Sequence, residues 1–74
     1  MDERSTLKRL GDGLRTKRAS MGFSQESFAD SIGMHRAYYS SIERGSRNVT
    51  LMTLLRISTG LDTAVHSLLR DADI

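Results

Sequence analysis

Apolar residues recur at three- and four-residue steps along most of the chain, which is the period of an amphipathic helix. Five segments of this kind are separated by glycines or by polar residues that can cap a helix. They predict helices over about 5–19, 25–32, 35–44, 51–60 and 63–70. The pattern therefore indicates an all-α fold of five helices in one domain spanning residues 1–74.

The ends of these segments carry local capping signals. Ser5 or Thr6 can cap the first helix and Ser24 the second, because a side-chain oxygen there accepts a backbone N–H of the first turn. Within the first helix, Gly11 and Gly13 are expected to lower helix stability by up to about 1 kcal/mol each relative to alanine.

Residues 24–45 read SQESFADSIGMHRAYYSSIERG and predict two short helices joined by a tight turn. The turn falls at Gly33, where glycine adopts a positive φ without steric cost. Ala29 lies where the two helices cross, a place that admits only a small side chain. Apolar side chains that hold both helices against the first helix are expected at Phe28, Ile32, Tyr39 and Ile42. A helix about 10–12 Å wide fits the DNA major groove of about 12 Å, so the exposed face of the third helix is a candidate DNA-reading surface.

The last two helices carry more apolar residues than a small core needs. Leu51, Leu54 and Leu55 follow one stripe, and Met52 and Ile57 point away from it. Surplus apolar surface on a small domain usually marks an interface, although these residues could instead close the monomer core. We expect a homodimer formed through residues 50–70. The expected interface residues are Met52, Leu55, Ile57, Val65, Leu68 and Leu69.

The composition leaves few ways of stabilising so small a chain other than a homodimer. With 74 residues and 38% apolar residues it is small enough to be marginal as a monomer, which favours self-association. No cysteine is present, and His35 and His66 are the only imidazoles, so we expect neither a metal site nor a cofactor. No apolar run approaches the roughly 20 residues of a membrane span, and the start has no secretory segment, which predicts a cytoplasmic protein.

Charge is distributed unevenly along the chain. The formal net charge is +2, but residues 4–56 hold ten lysines and arginines against four acidic residues. A basic body with acidic ends suits a polyanionic partner, although many small helical domains are mildly basic.

The segment just quoted resembles the helix-turn-helix of the phage-repressor-like family of small all-helical DNA-binding domains. The strings GFSQESFADSIGM and IERG carry this resemblance, and HRAYYSSIERGSRNVTL is similar to the controller proteins of bacterial restriction–modification systems. The resemblance implies a compact five-helix, lambda-repressor-like domain with its helix-turn-helix at 24–45. It also implies a homodimer on pseudo-palindromic double-stranded DNA, with two dimers on adjacent sites and RNA polymerase as further partners. Such a regulator would control its own gene and a restriction endonuclease gene.

The resemblance also assigns roles to individual positions. Arg36 lies where family members place a base-reading side chain, and Gln25 where they touch a phosphate. Tyr38 would contact DNA or, as an alternative, cover neighbouring aliphatic groups. The residues assigned to DNA are Ser24, Gln25, His35, Arg36, Ala37, Tyr38, Ser40, Arg44, Arg47 and Asn48.

Three further features follow from the resemblance. Arg18 and Glu43 end the first and third helices, where the family forms a partly buried ion pair of structural importance. Tyr39 replaces the usual valine or isoleucine, so its hydroxyl must find a partner or reach the edge of the core. Ala37 stands where controllers often have threonine, which leaves a methyl contact to thymine as the available interaction.

Other functions are less well supported by the sequence. A phage or plasmid repressor would share the same fold. An antitoxin would normally add a toxin-binding segment, whereas only a few residues follow the fifth helix here. No nucleophile and base, phosphate-binding glycine loop or pair of catalytic carboxylates is evident, so an enzyme is not expected.

Overall fold

The structure, a computed structural model, describes residues 2–74 and contains five helices and no strand within them. The helices are α1 (Glu3–Ser20), α2 (Gln25–Ser31), α3 (Arg36–Glu43), α4 (Leu51–Gly60) and α5 (Val65–Asp71). This architecture confirms the predicted all-α fold. None of these helices combines the length and the apolar character needed to cross a lipid bilayer.

Side-chain caps set where α1 and α2 begin. Ser24 and Ser27 form a reciprocal capping box at the start of α2, each hydroxyl accepting the other residue's backbone N–H at 3.0 Å. In α1 the cap is Asp2, which accepts the backbone N–H of Arg4 at 3.3 Å. The first helix therefore begins at Glu3, two residues before the predicted start.

A tight turn joins α2 to α3 and fixes their crossing. Gly33 has φ +67° at this turn, and the Met34 N–H returns to the carbonyl of Ala29 at 2.9 Å. Ala29 is fully buried, as expected for a small side chain where the two helices cross. The turn directs α3 across α2 and leaves one edge of α3 at the surface.

The core lies between α1, α2 and α3, and α4 and α5 close it. The ring of Phe28 packs edge-on against Phe23, with centroids 5.5 Å apart, and is tilted against Tyr39 at 5.1 Å. The buried hydrophobic cluster comprises Leu10, Leu14, Phe28, Ala29, Tyr39, Ile42, Leu54, Ile57, Leu61 and Leu68.

The inward face of α4 differs from the predicted one. Leu54, Ile57 and Leu61 enter the core at three- and four-residue steps. Ser58 is also buried on this face, where its hydroxyl donates to the carbonyl of Leu55 at 2.9 Å. The exposed apolar side chains of α4 are Leu51, Met52 and Leu55, with exposed fractions of 65%, 71% and 40%.

Two residues assigned to the dimer interface therefore lie in the core. Ile57 is fully buried and Leu68 is 6% exposed, so the prediction for both is wrong. Val65 and Leu69 are half-buried and pack against the core. Helix α5 also begins two residues later than predicted, at Val65, because the preceding chain turns at Asp62 with φ +53°.

Helix α1 approaches the end of α3 most closely at Gly11. A Cβ atom built on Gly11 would overlap the backbone carbonyl oxygen of Glu43 and lie 2.7 Å from the carbonyl oxygen of Ile42. Backbone atoms cannot rotate out of the way as a side chain can. Gly11 therefore permits the α1–α3 contact, a role that outweighs its expected cost in helix propensity.

We predict that Gly11→Ala lowers the free energy of unfolding by about 1–3 kcal/mol, because α1 and α3 must separate to admit the methyl group. Gly13→Ala is the matched control, since its nearest neighbour, the Ala72 Cβ, is 3.9 Å away. That variant should gain up to about 1 kcal/mol from helix propensity. Urea denaturation of both variants measures the difference, and equal stabilities would contradict the close contact.

Candidate nucleic-acid interface

The exposed edge of α3 begins at its first turn. His35 caps the helix through its backbone, and its side chain makes no capping hydrogen bond. Arg36 and Ala37 follow on the exposed surface. The Arg36 guanidinium has no hydrogen bond or ion pair with residues 2–74 in the structure. Its two parallel N–H donors are therefore available for an acceptor pair such as guanine O6 and N7.

None of the ten residues assigned to DNA is buried. Gln25, Tyr38 and Ser40 are half-buried, and the other seven are exposed: Ser24, His35, Arg36, Ala37, Arg44, Arg47 and Asn48.

Helix α3 and the loop that follows it share several of these residues. The Arg44 Nη1 donates to the Ser40 hydroxyl at 2.8 Å, which ties two candidates together. The Arg47 guanidinium lies over the Tyr38 ring, 5.0 Å from its centroid. Asn48 accepts the backbone N–H of Val49 through its Oδ1 at 3.0 Å. The loop is thus folded back along α3 instead of projecting from it.

Ser41, next to the candidate Ser40, supports this surface from inside the protein. It is buried, donates to the carbonyl of Tyr38 at 2.6 Å and accepts the Nε–H of Arg47 at 3.1 Å. The three-residue spacing from Tyr38 to Ser41 is a recognisable signal for the first bond. The sequence does not predict the hydrogen bond from Arg47 to Ser41, because that bond depends on the path of the loop.

A buried carboxylate joins three helices behind this surface. Glu43 on α3 accepts Arg18 Nε at 2.7 Å and Arg18 Nη2 at 3.0 Å, a bidentate pair with α1. It also accepts Gln25 Nε2 from the start of α2 at 2.9 Å. Arg18 Nη1 donates in turn to the carbonyl of Phe23 at 2.7 Å. One N–H of the Gln25 amide is therefore held inside the protein and only the other is free for a phosphate.

The electrostatics of this cluster favour the ionised pair. Burial by itself would raise the pKa of the Glu43 carboxyl, but the hydrogen bonds from Arg18 and Gln25 outweigh it and hold that pKa below its usual value. Burial, together with the Glu43 carboxylate, raises the pKa of the neighbouring Tyr39 phenol, which stays neutral. The Tyr39 hydroxyl is fully buried, so it does not reach the edge of the core. It lies close enough to the Glu43 carboxylate and the Arg18 guanidinium for both to affect its pKa, although it forms no hydrogen bond of regular geometry among residues 2–74.

Known proteins of similar sequence and structure show which family carries this surface. The sequence pattern described as helix-turn-helix matches residues 14–67, which include α2, α3 and α4. The chain belongs to the helix-turn-helix family. The control protein C.MunI of a Mycoplasma species is 44% identical over 66 residues, which cover 88% of this chain and 89% of that protein.

Solved structures of restriction–modification controller proteins have the same fold. C.AhdI from Aeromonas hydrophila superposes with a TM-score of 0.81 at 40% identity, over 84% of this chain and 94% of that one. C.Esp1396I, solved as a tetramer in complex with its natural 35 base-pair operator, superposes with a TM-score of 0.79 at 29% identity. That alignment covers 93% of this chain and 96% of that one.

We predict that the Arg18–Glu43 pair makes the free energy of unfolding depend on pH. The pKa of Glu43 is lower in the folded protein than in the unfolded chain, so the charged carboxylate stabilises the folded state fully above the unfolded-state pKa of about 4.3. This stabilisation is lost as the pH falls through the folded-state pKa. The stability difference between wild type and Glu43→Gln should therefore be largest near pH 7 and shrink below about pH 4.

Chemical denaturation of both proteins between pH 7 and pH 3 measures this difference. Glu26→Gln, on the exposed surface of α2, controls for removal of one negative charge. A difference between wild type and Glu43→Gln that does not change with pH would contradict the role assigned to the Glu43 carboxylate.

Proposed function

We propose that this chain is a sequence-specific DNA-binding transcription regulator that controls expression of a restriction–modification system, including its own gene. The observation that carries the proposal is the exposed first turn of α3, which presents a free arginine from a helix-turn-helix. The likeness to control proteins over most of the chain supports the regulatory role. The proposed role is binding without catalysis, in the cytoplasm where the regulated DNA lies.

Base reading falls to the first turn of α3. With α3 in the major groove, Arg36 donates two hydrogen bonds to the O6 and N7 of a guanine. Ala37, next to it on the exposed surface, offers its methyl group to a thymine methyl.

Phosphate contacts fix the register of the protein on the duplex without reading the sequence. They come from the start of α2, from α3 and from the loop that follows it. The residues that supply them are Ser24, Gln25, His35, Ser40, Arg44, Arg47 and Asn48, and Tyr38 lies against Arg47 in the same surface.

A second copy of the chain covers the outer face of α4, within the region 50–70. Met52 and Leu55 line a shallow depression together with Ile32 of α2, and Met52 is the most exposed large apolar side chain. A two-fold axis through this patch would pair it with itself and suit a pseudo-palindromic operator, with half-sites about one helical turn apart. The tetrameric complex of C.Esp1396I supports two dimers on adjacent sites.

The regulatory effect follows from where the operator lies. A dimer bound upstream of a promoter recruits RNA polymerase, and a dimer bound further in blocks it. Control of its own gene and of the endonuclease gene would delay the endonuclease until methylation protects the host DNA.

We predict that the chain protects a pseudo-palindromic sequence upstream of its own gene in a footprinting experiment. On a duplex carrying that sequence, Arg36→Ala should lose about 1–3 kcal/mol per contact and its discrimination at one base pair per half-site. Arg44→Ala is the matched control and should weaken binding to all sequences alike. If Arg36→Ala kept the wild-type preference among single-base variants of the site, the base-reading role would be refuted.

We predict that Met52→Asp gives a folded monomer with weak operator binding, because a charge in the α4 patch opposes its burial against a second copy. Met21→Asp, at an exposed methionine that follows α1, is the matched control and should remain dimeric. Sedimentation at micromolar concentration separates the two results. Dimerisation of Met52→Asp would place the interface elsewhere.

A further inference from the structure

We propose that Tyr38 is a positioning residue that, with Ser41, holds the Arg47 guanidinium in its DNA-binding place before DNA arrives. The inference rests on the proposed function and assigns a specific part in it to the loop after α3. Tyr38 and Arg47, predicted from the sequence as separate DNA contacts, are in contact with each other in the structure.

Two contacts of different kinds hold the guanidinium. Its central carbon lies 5.0 Å from the centroid of the Tyr38 ring, within the range of a cation–π interaction. Its Nε donates to the Ser41 hydroxyl at 3.1 Å. The ring fixes the distance of the guanidinium from α3, and the hydrogen bond fixes its direction.

The groups that hold Arg47 are themselves fixed. Ser41 is buried, and its hydroxyl donates to the Tyr38 carbonyl at 2.6 Å. Both the backbone N–H and the hydroxyl of Ser46 donate to the Ser41 carbonyl, each at 3.1 Å. Because Ser46 directly precedes Arg47, the backbone of the loop is pinned to α3 at the point from which the arginine departs.

The Arg47 side chain is exposed, and most of its N–H donors are unused within residues 2–74. An arginine carries five N–H donors, and only the one on Nε is used here within residues 2–74. The four donors on the two Nη atoms remain for a phosphate, which arginine can bind through two parallel hydrogen bonds. A side chain already held in place loses less conformational freedom on binding than a free surface arginine does.

A direct contact between the Tyr38 hydroxyl and DNA is the competing explanation, and it depends on a different part of the same residue. Positioning uses the face of the ring, which phenylalanine retains and leucine lacks. A direct hydrogen bond uses the hydroxyl, which both substitutions remove. Tyr38→Phe and Tyr38→Leu therefore separate the two roles.

The experiment is a double-mutant cycle on a fluorescent duplex carrying the footprinted site, measured by anisotropy. Tyr38→Leu should weaken binding by about three- to tenfold per half-site, and Tyr38→Phe by less than about twofold. Arg47→Ala should weaken it at least as much as Tyr38→Leu. Adding Tyr38→Leu to Arg47→Ala should then have little further effect, because the ring acts through the arginine. A loss with Tyr38→Phe equal to that with Tyr38→Leu, or additive losses in the double variant, would overturn the proposal.

A second measurement tests the arrangement without DNA and without relying on its function. In the wild type and in Tyr38→Phe, the NMR signal of the Arg47 Nε proton should be shifted by the ring and exchange slowly with water. In Tyr38→Leu the ring shift should be lost, and exchange with water should be faster because the Ser41 hydrogen bond alone remains. A signal at the position of a free arginine in the wild type would overturn the proposal even if the protein binds DNA.

Arg47→Lys guards against a folding artefact, because Tyr38 packs partly against the core whereas Arg47 is exposed. Lysine keeps the charge but has neither the planar group nor the Nε–H donor. Arg47→Lys should weaken DNA binding when residue 38 is tyrosine. In the Tyr38→Leu background the same substitution should weaken DNA binding less. If the wild type prefers no sequence over a random duplex, the proposed function fails. The double-mutant cycle on any duplex that the protein binds still tests the positioning of Arg47, because a phosphate contact does not depend on the sequence.

Discussion

The arrangement of α1, α2 and α3 depends on one buried carboxylate. Glu43 accepts hydrogen bonds from Arg18 on α1 and from Gln25 on α2, while its own backbone ends α3. A buried charge left without partners costs about 3–5 kcal/mol, a large fraction of the stability of so small a domain. The three helices are therefore held in the one arrangement that keeps Glu43 paired, and this arrangement sets the direction in which α3 presents its exposed edge.

This interaction is possible only because α1 and α3 approach closely. Gly11 brings the backbone of α1 against the carbonyl groups at the end of α3, which leaves Arg18, two turns further along α1, level with the Glu43 side chain. The same pair places Tyr39 beside an ionised carboxylate, and its buried hydroxyl stays neutral there.

The helix-turn-helix was predictable from local sequence signals, whereas the inward face of α4 and the contacts between distant residues were not. Ser24, Gly33 and the small Ala29 each act within a few residues of their own position, so the sequence was enough to place α2, the turn and α3. In α4, by contrast, apolar residues at 51, 52, 54, 55 and 57 fit two helical stripes equally well. The choice between them is settled by Leu61, which lies beyond the helix and enters the core. The role of Gly11 and the hydrogen bond from Arg47 to Ser41 depend on how separate parts of the chain fold against each other. The spacing of apolar residues does not predict this.

The candidate DNA surface combines one free arginine with several restrained side chains, and the two kinds suit different tasks. Gln25, Arg44 and Arg47 are each tied to α3 by a hydrogen bond within the protein, which limits the positions from which they can meet a phosphate. Arg36 has no such bond within residues 2–74, so in the proposed complex it is free to adjust to a base edge. Phosphates repeat along every duplex, so fixed contacts to them set the register whatever the sequence. Discrimination is then left to a side chain whose hydrogen bonds are satisfied only when the correct base stands at that register.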